Sequence, residues 1–190
     1  MKKLLLSALL MLCVSAFAQK QYTLQSPDKD ITVTIEIGEP LTYSVTHGKT
    51  CVLTPSPIGM KLANGTSLGT KPVVKSTKTR SVNQTLASPL YKRTEIPEVY
   101  EELTLTFKGN YKVIFRAYDA GVAYRFETEF RKPIIIENET ADFNFDKDYQ
   151  GLIPYVLRRA GQEGPLINQQ FYNSFENTYS HINLSQMDPE

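Results

Sequence analysis

Apolar and polar residues alternate along most of this chain. Ile31, Val33, Ile35 and Ile37 are separated by Thr32, Thr34 and Glu36, and Leu103, Leu105 and Phe107 are separated by Thr104 and Thr106. A repeat of two belongs to a strand with one face against a core and the other in water. The clearest pair runs from Asn110 to Phe130, where Val122, Tyr124 and Phe126 alternate with Ala123, Arg125 and Glu127 after a three-residue turn, Asp119-Ala120-Gly121. Asp and Gly suit a hairpin turn, so this stretch predicts an antiparallel pair with one buried face. Turn signals recur at Ser26-Pro27-Asp28, Gly38-Glu39-Pro40, His47-Gly48, Asn64-Gly65 and Lys108-Gly109-Asn110. Short strands with frequent turns predict an all-β chain folded as a sandwich or barrel. No amphipathic helix, internal repeat or heptad competes with that reading.

Two stretches depart from the pattern. Lys71 to Tyr100 is polar and carries two prolines, Pro89 and Pro97, within its second half. It reads as a long excursion or as irregular strands. After Tyr149 the chain is punctuated by Gly151, Pro154, Gly161, Gly164 and Pro165, and Asn168 to Tyr179 is crowded with amides and aromatics. That composition suits a loop facing a polar, ring-shaped ligand, and equally an ordinary surface loop.

Residues 1–18 read as an address. Lys2 and Lys3 precede an apolar run from Leu4 to Phe17, and Ala16-Phe17-Ala18 supplies the small residues of a signal-peptidase site, which predicts cleavage before Gln19 and an exported, periplasmic product. The run is shorter than the roughly 20 residues needed to span a bilayer, and no later segment approaches that length. Leu12 stands before Cys13 where a lipidation signal wants a small residue. Without Lys2 and Lys3, residues 19–190 carry 19 basic and 20 acidic side chains, a net charge of −1. A chain so nearly neutral, with no basic cluster, lacks the footprint of a nucleic-acid or anionic-lipid binder. Cys51 is then the single cysteine, which leaves no partner for an internal disulfide. Set in Cys51-Val52-Leu53, it reads as packed. Stability must come from a core, which 172 residues can build.

Candidate chemistry is sparse. His47 sits beside a turn glycine and His181 lies in the irregular tail, with no serine elbow, zinc spacing or phosphate-cradling loop to accompany them. Asp142, Asn144, Asp146 and Asp148 recur at every second position, but an EF-hand needs Gly and Glu where this chain has Lys147 and Ile153. With Phe143 and Phe145 interleaved, the stretch reads as a strand with one wet face. Glu95, Glu98, Glu101 and Glu102 read as a solvated strand edge. Glu176, between Phe175 and Asn177, is the better site candidate.

Leu24-Gln25-Ser26-Pro27-Asp28, Tyr43-Ser44-Val45, Pro55-Ser56-Pro57-Ile58-Gly59 and Phe115 to Glu127 occur in an order that resembles glycoside hydrolase family 97. The resemblance runs from about Gln21 to the end and is to the family's amino-terminal domain. It implies an antiparallel β-sandwich of the galactose-mutarotase type, a super-sandwich, incomplete at its carboxy-terminal end. Such enzymes are exported bacterial α-glucosidases or α-galactosidases acting on α-linked oligosaccharides. Their catalytic residues lie in a (β/α)8 barrel that follows the sandwich, so residues 19–190 would hold no catalytic residue and would be inactive alone. The resemblance also implies a calcium ion at the active site, to which one glutamate of the sandwich reaches. Phe175-Glu176-Asn177-Thr178-Tyr179 is similar to that glutamate's surroundings, which makes Glu176 the expected metal ligand, beside carboxylates of the barrel.

Three readings follow. The first is the amino-terminal sandwich of a calcium-dependent exo-α-glycosidase, supporting a catalytic barrel. The second is a carbohydrate-binding sandwich without catalysis, and the third a structural exported β-domain. Sugar affinity in this chain alone separates the second from the others.

Overall fold

The computed structural model describes residues 20–90, 92–155 and 178–187. Twelve strands account for nearly all regular structure among them. The first sheet is built from β1 (Lys20–Gln25), β2 (Ile31–Ile37), β3 (Thr42–His47) and β4 (Thr50–Leu62), each antiparallel to the one before. The two-residue β5 (Ser67–Leu68) turns back beside β4. The second sheet is a meander of β6 (Val74–Ala87), β7 (Glu95–Phe107), β8 (Tyr111–Tyr118) and β9 (Gly121–Thr128). The chain then returns to the first sheet, where β10 (Ile136–Ala141) lies along β4 and completes the order β1-β2-β3-β4-β10. β11 (Gln150–Ile153) and β12 (Ser180–Asn183) form a separate pair, followed by one 3-10 turn at Leu184–Gln186.

The core lies between the two sheets and is made of the residues whose alternation predicts it. Val33, Ile35, Leu41 and Tyr43 from the first sheet meet Leu105, Phe107, Val113 and Phe115 from the second, all fully or nearly fully buried. Tyr43, Phe115 and Tyr124 form a triangle of rings with centroids 5.5 to 5.9 Å apart, and Phe107 stacks on Tyr111 at 4.8 Å. These offset and tilted pairs add to the burial of the rings themselves. The edge of the core is locked at Gly69, whose N–H donates to the Tyr111 hydroxyl at 3.3 Å and whose carbonyl accepts from Leu41 N at 2.7 Å. Its φ is +87°, and an added Cβ would lie 2.6 Å from the Ile58 carbonyl oxygen. Only glycine meets both demands.

Several expectations need correction. Lys71 to Tyr100 is no irregular excursion. It contributes β6 and the first half of β7, paired residue for residue from Ala87↔Glu95 to Val74↔Phe107 with one shift near Ser76. β6 is the sheet's edge and is exposed on both faces for most of its length, so no buried face imprints a repeat of two on its sequence. Pro97 is tolerated because β8 pairs with β7 only from Glu101 onward. The β8–β9 turn is also shorter than expected, because Tyr118 pairs with Gly121 and leaves Asp119-Ala120 as a two-residue loop.

The stretch from Asp142 to Asp148 is not a regular strand. Pro55 and Pro57 of β4 offer no N–H to a neighbour. The segment is held instead by Asp142 N to the Pro57 carbonyl at 3.2 Å, Asn144 N to Ser56 Oγ at 2.9 Å and Thr54 N to the Asn144 carbonyl at 2.9 Å. Phe143 and Phe145 are exposed rather than buried. Finally, His181 belongs to β12, paired with Leu152, rather than to an irregular tail.

Candidate functional site

Glu102 is the one buried carboxylate among the described residues. With Leu103 and Leu105 of β7 facing the core, Glu102 faces outward, and the register sets Arg80 of β6 on one side of it and Arg116 of β8 on the other. Arg80 donates from Nε to Oε1 at 2.7 Å and from Nη2 to Oε2 at 3.0 Å, and Arg116 Nε donates to Oε2 at 2.8 Å. Arg80 Nη2 also donates to the Tyr100 hydroxyl at 3.2 Å. The Arg116 guanidinium lies 4.3 Å from the centre of the Tyr100 ring, which packs 5.1 Å from Tyr118. Glu98 approaches the same guanidinium at 3.7 Å.

Glu102 is only 6% exposed although it lies on an outer face, because its own partners cover it. Hydrogen bonds from Arg80 hold its carboxyl below the usual carboxylate range, against the opposing cost of burial and with help from Arg116. Burial opposes the charge of Arg116, but hydrogen bonds to Tyr118 and Glu102 outweigh it and raise its pKa. A carboxylate held by three guanidinium N–H donors is favoured in its ionised form, and it ties β6, β7 and β8 together. The sequence expectation of a solvated edge is therefore wrong for Glu102. It holds for Glu95, which is exposed, and fails in part for Glu98 and Glu101, which are half-buried. Spacing carries no trace of this cluster, since its three members come from three strands and meet only through register.

A cleft of about 530 Å³ opens between the sheets at the β9 side. Tyr43, Val45 and Leu53 line it from the first sheet, Val122 and Tyr124 from β9, and His47 stands at its rim. Asp119, also on the rim, accepts a hydrogen bond from Asp28 N at 3.0 Å and so ties the β1–β2 turn to the β8–β9 turn. Burial raises the pKa of Tyr43, and burial beside Tyr43 pushes that of Tyr124 up to about 12. The cleft has the size of a small-molecule site and the mostly apolar lining with few polar groups that such sites share.

The expected site residues separate in space. His47 is at the cleft, while His181 is exposed on β12. Cys51 is half-buried in β4 and unpaired with another cysteine. Glu176, the expected calcium ligand, lies outside the described residues. Among the described residues, no three of His, Cys, Asp and Glu come together as a metal site would require. No helix among them is long and apolar enough to cross a membrane.

An open cleft between two antiparallel sheets, one of them tied across its outer face by a carboxylate and two guanidinium groups, defines a β-sandwich domain. Residues 24–190 match the family model of the glycosyl-hydrolase 97 N-terminal domain, and the chain belongs to that family. It is 44% identical over 191 residues to the retaining alpha-galactosidase of Bacteroides thetaiotaomicron, covering 100% of this chain and 28% of that protein. A glycoside hydrolase family 97 enzyme of Pseudoalteromonas sp., solved in complex with panose and with acarbose, superposes with a TM-score of 0.62 at 25% identity. That match covers 70% of this chain and 22% of the enzyme. A beta-arabinopyranosidase shares the fold with a TM-score of 0.69 at 20% identity, over 84% of this chain and 26% of its own. The chain thus spans about a quarter of the length of each of these relatives.

Proposed function

We propose that this chain is the amino-terminal domain of an exported, calcium-dependent exo-α-glycosidase acting on α-linked oligosaccharides, with α-galactosides the first substrates to try. The observation that carries the reading is the 44% identity to a retaining alpha-galactosidase along the whole of this chain. Residues 19–190 form the sandwich and support a catalytic (β/α)8 barrel in the longer protein. There, carboxyl groups of the barrel protonate the glycosidic oxygen and direct attack at the anomeric carbon. This domain supplies Glu176, a hard oxygen donor of the kind calcium takes six to eight of, so the ion would be held with barrel carboxylates. The residues before Gln19 direct the protein to the periplasm.

The test is made on the longer gene product that contains this sequence. We expect hydrolysis of α-galactosides that falls when calcium is chelated, and a Glu176→Gln variant whose calcium affinity, followed by direct titration, drops at least about ten-fold. Unchanged calcium affinity would remove Glu176 from the site. Activity on α-glucosides alone would move the substrate from galactose to glucose without touching the family.

The cleft favours a second reading, a carbohydrate-binding sandwich. Tyr124 offers a half-buried ring, and His47 and Asp119 offer polar groups at the rim. If sugars bind there, calorimetry with galactose or panose gives a dissociation constant of about 1 mM or tighter, and Tyr124→Ala weakens it about ten-fold. Absence of heat up to tens of millimolar sugar, on the order of −2 to −3 kcal/mol of binding at most, removes this reading.

A further inference from the structure

The cleft between the sheets keeps its apolar and polar groups apart. Ile31, Val45 and Leu53 are buried in its walls with half-buried Val122 facing them, whereas His47 and Asp119 are exposed at its rim. Among the described residues that line it, the side chains offer further polar atoms only at the hydroxyls of Tyr43 and Tyr124. A free hexose carries a hydroxyl on nearly every carbon. Enclosed between these walls, most of those hydroxyls would be left without partners and would bear the cost of desolvation. An apolar body strands nothing there. The walls and the rim therefore suit different halves of one molecule.

The mouth of the cleft adds a second observation. Phe143 belongs to the lining and is 60% exposed, yet its backbone neighbours are pinned to β4 on both sides. Asp142 N donates to the Pro57 carbonyl at 3.2 Å, Asn144 N donates to Ser56 Oγ at 2.9 Å, and Asn144 Nδ2 donates to the Pro55 carbonyl at 2.8 Å. A ring carried on so fixed a backbone is already placed for a ligand, which lowers the ordering cost of meeting one. Val52, 43% exposed, belongs to the same lining. Large apolar side chains gathered in the open beside an apolar cleft are a feature of ligand-binding grooves. The rim constrains the other end of the ligand. Asp119 is held by Asp28 N at 3.0 Å, and a hydrogen bond from Ser26 keeps the Asp28 carboxyl below its usual range. Two neighbouring carboxylates accept hydroxyl donors and repel an anion.

From this division of polarity we infer that the cleft binds a glycoside by its aglycone. An alkyl or aryl group enters between the sheets under Phe143, and the sugar stays at the mouth with its hydroxyls toward His47 and Asp119. The inference rests on the second reading above, in which the cleft is a sugar site, and it narrows the ligand to an amphiphile with an uncharged, hydroxylated head.

Calorimetry on the full-length protein with β-D-galactosides of increasing alkyl length, kept below micelle formation, tests the inference. The β anomers are chosen because an α-glycosidase leaves them uncut. Each methylene that enters the cleft gains about four-fold in affinity, so octyl β-D-galactoside should bind at least about a hundred-fold more tightly than methyl β-D-galactoside. At saturation the octyl compound should slow hydrogen exchange at Val122, Ala123 and Tyr124 by about ten-fold or more. Phe143→Ala, at an exposed position, should weaken the octyl compound about ten-fold and leave the methyl compound unchanged. The control Leu152→Ala, at a residue 59% exposed and outside the lining, should change neither. Equal affinity for the methyl and octyl compounds overturns the inference and leaves the cleft a sugar site. Octanoate bound as tightly as octyl galactoside also overturns it, since the rim would then not distinguish the head. Octyl binding that slows exchange elsewhere and not in β9 places the ligand outside the cleft, with the same result. No heat with any galactoside removes the second reading and the inference together.

Discussion

Replacing Glu102 by glutamine should destabilise the domain by about 3 kcal/mol, because removing one member of a buried charge cluster strands the others. Glutamine keeps the shape and one acceptor oxygen. It loses the charge that faces Arg80 at 2.7 Å and Arg116 at 2.8 Å, and its amide nitrogen turns a donor toward guanidinium groups that have only donors of their own. Arg116 suffers more than Arg80, since its side chain is 24% exposed against 50%. The pH dependence follows from the same contacts. The folded Glu102 has a pKa below its ordinary value of 4.5, so the folded state binds this proton less readily than the unfolded one. Its contribution is complete above about pH 4.5 and is lost as the pH falls through the depressed folded value. Urea midpoints measured at pH 7 and near pH 3 should therefore differ more for the wild type than for Glu102→Gln. Parallel loss in both proteins would show that the cluster does not carry the acid sensitivity.

The same cluster shows how far the sequence can be read. Every core strand with one buried face announces itself. Val33 and Ile35 in β2, Leu103 and Leu105 in β7, and Val122 and Tyr124 in β9 lie on the faces their alternation predicts. The antiparallel sandwich follows from them, whereas the family is carried by the order of the Leu24–Asp28, Tyr43–Val45, Pro55–Gly59 and Phe115–Glu127 stretches. β6 escapes because alternation is the imprint of a core, and an edge strand exposed on both faces carries none. Glu102 escapes for a second reason. Parity with Leu103 places it outward, where carboxylates are ordinarily solvated, and its burial depends on which residues of β6 and β8 fall opposite it. That register is set by the turns and the core together. The cleft is legible only in part, since His47, Tyr43 and Asp119 belong to separate turns and strands that the fold brings to one rim. Glu176 is implied by the family resemblance alone and lies outside the described residues.

The core between the two sheets is tested most severely at Phe115. This residue is the middle of β8, fully buried, with its ring 5.9 Å from Tyr43 of the opposite sheet and 5.8 Å from Tyr124 of its own. Phe115→Ala should cost about 4 kcal/mol, the loss of ring burial plus the cavity left behind. Collapse around that cavity is resisted, because β8 is held by β7 on one side and β9 on the other along almost its whole length. The cleft should register the change as well, since Tyr43 and Tyr124 lean on Phe115 from the two sides of its floor. Phe145→Ala provides the contrast. That ring is 43% exposed and among the described residues has only Tyr149 as an aromatic neighbour, at 6.0 Å, so its removal should cost less than about 1 kcal/mol. Chemical unfolding of the two variants under identical conditions decides the matter. Similar losses at both positions would mean that the sheets do not close on Phe115, and that the apolar floor assigned to the cleft is not where the stability of the sandwich resides.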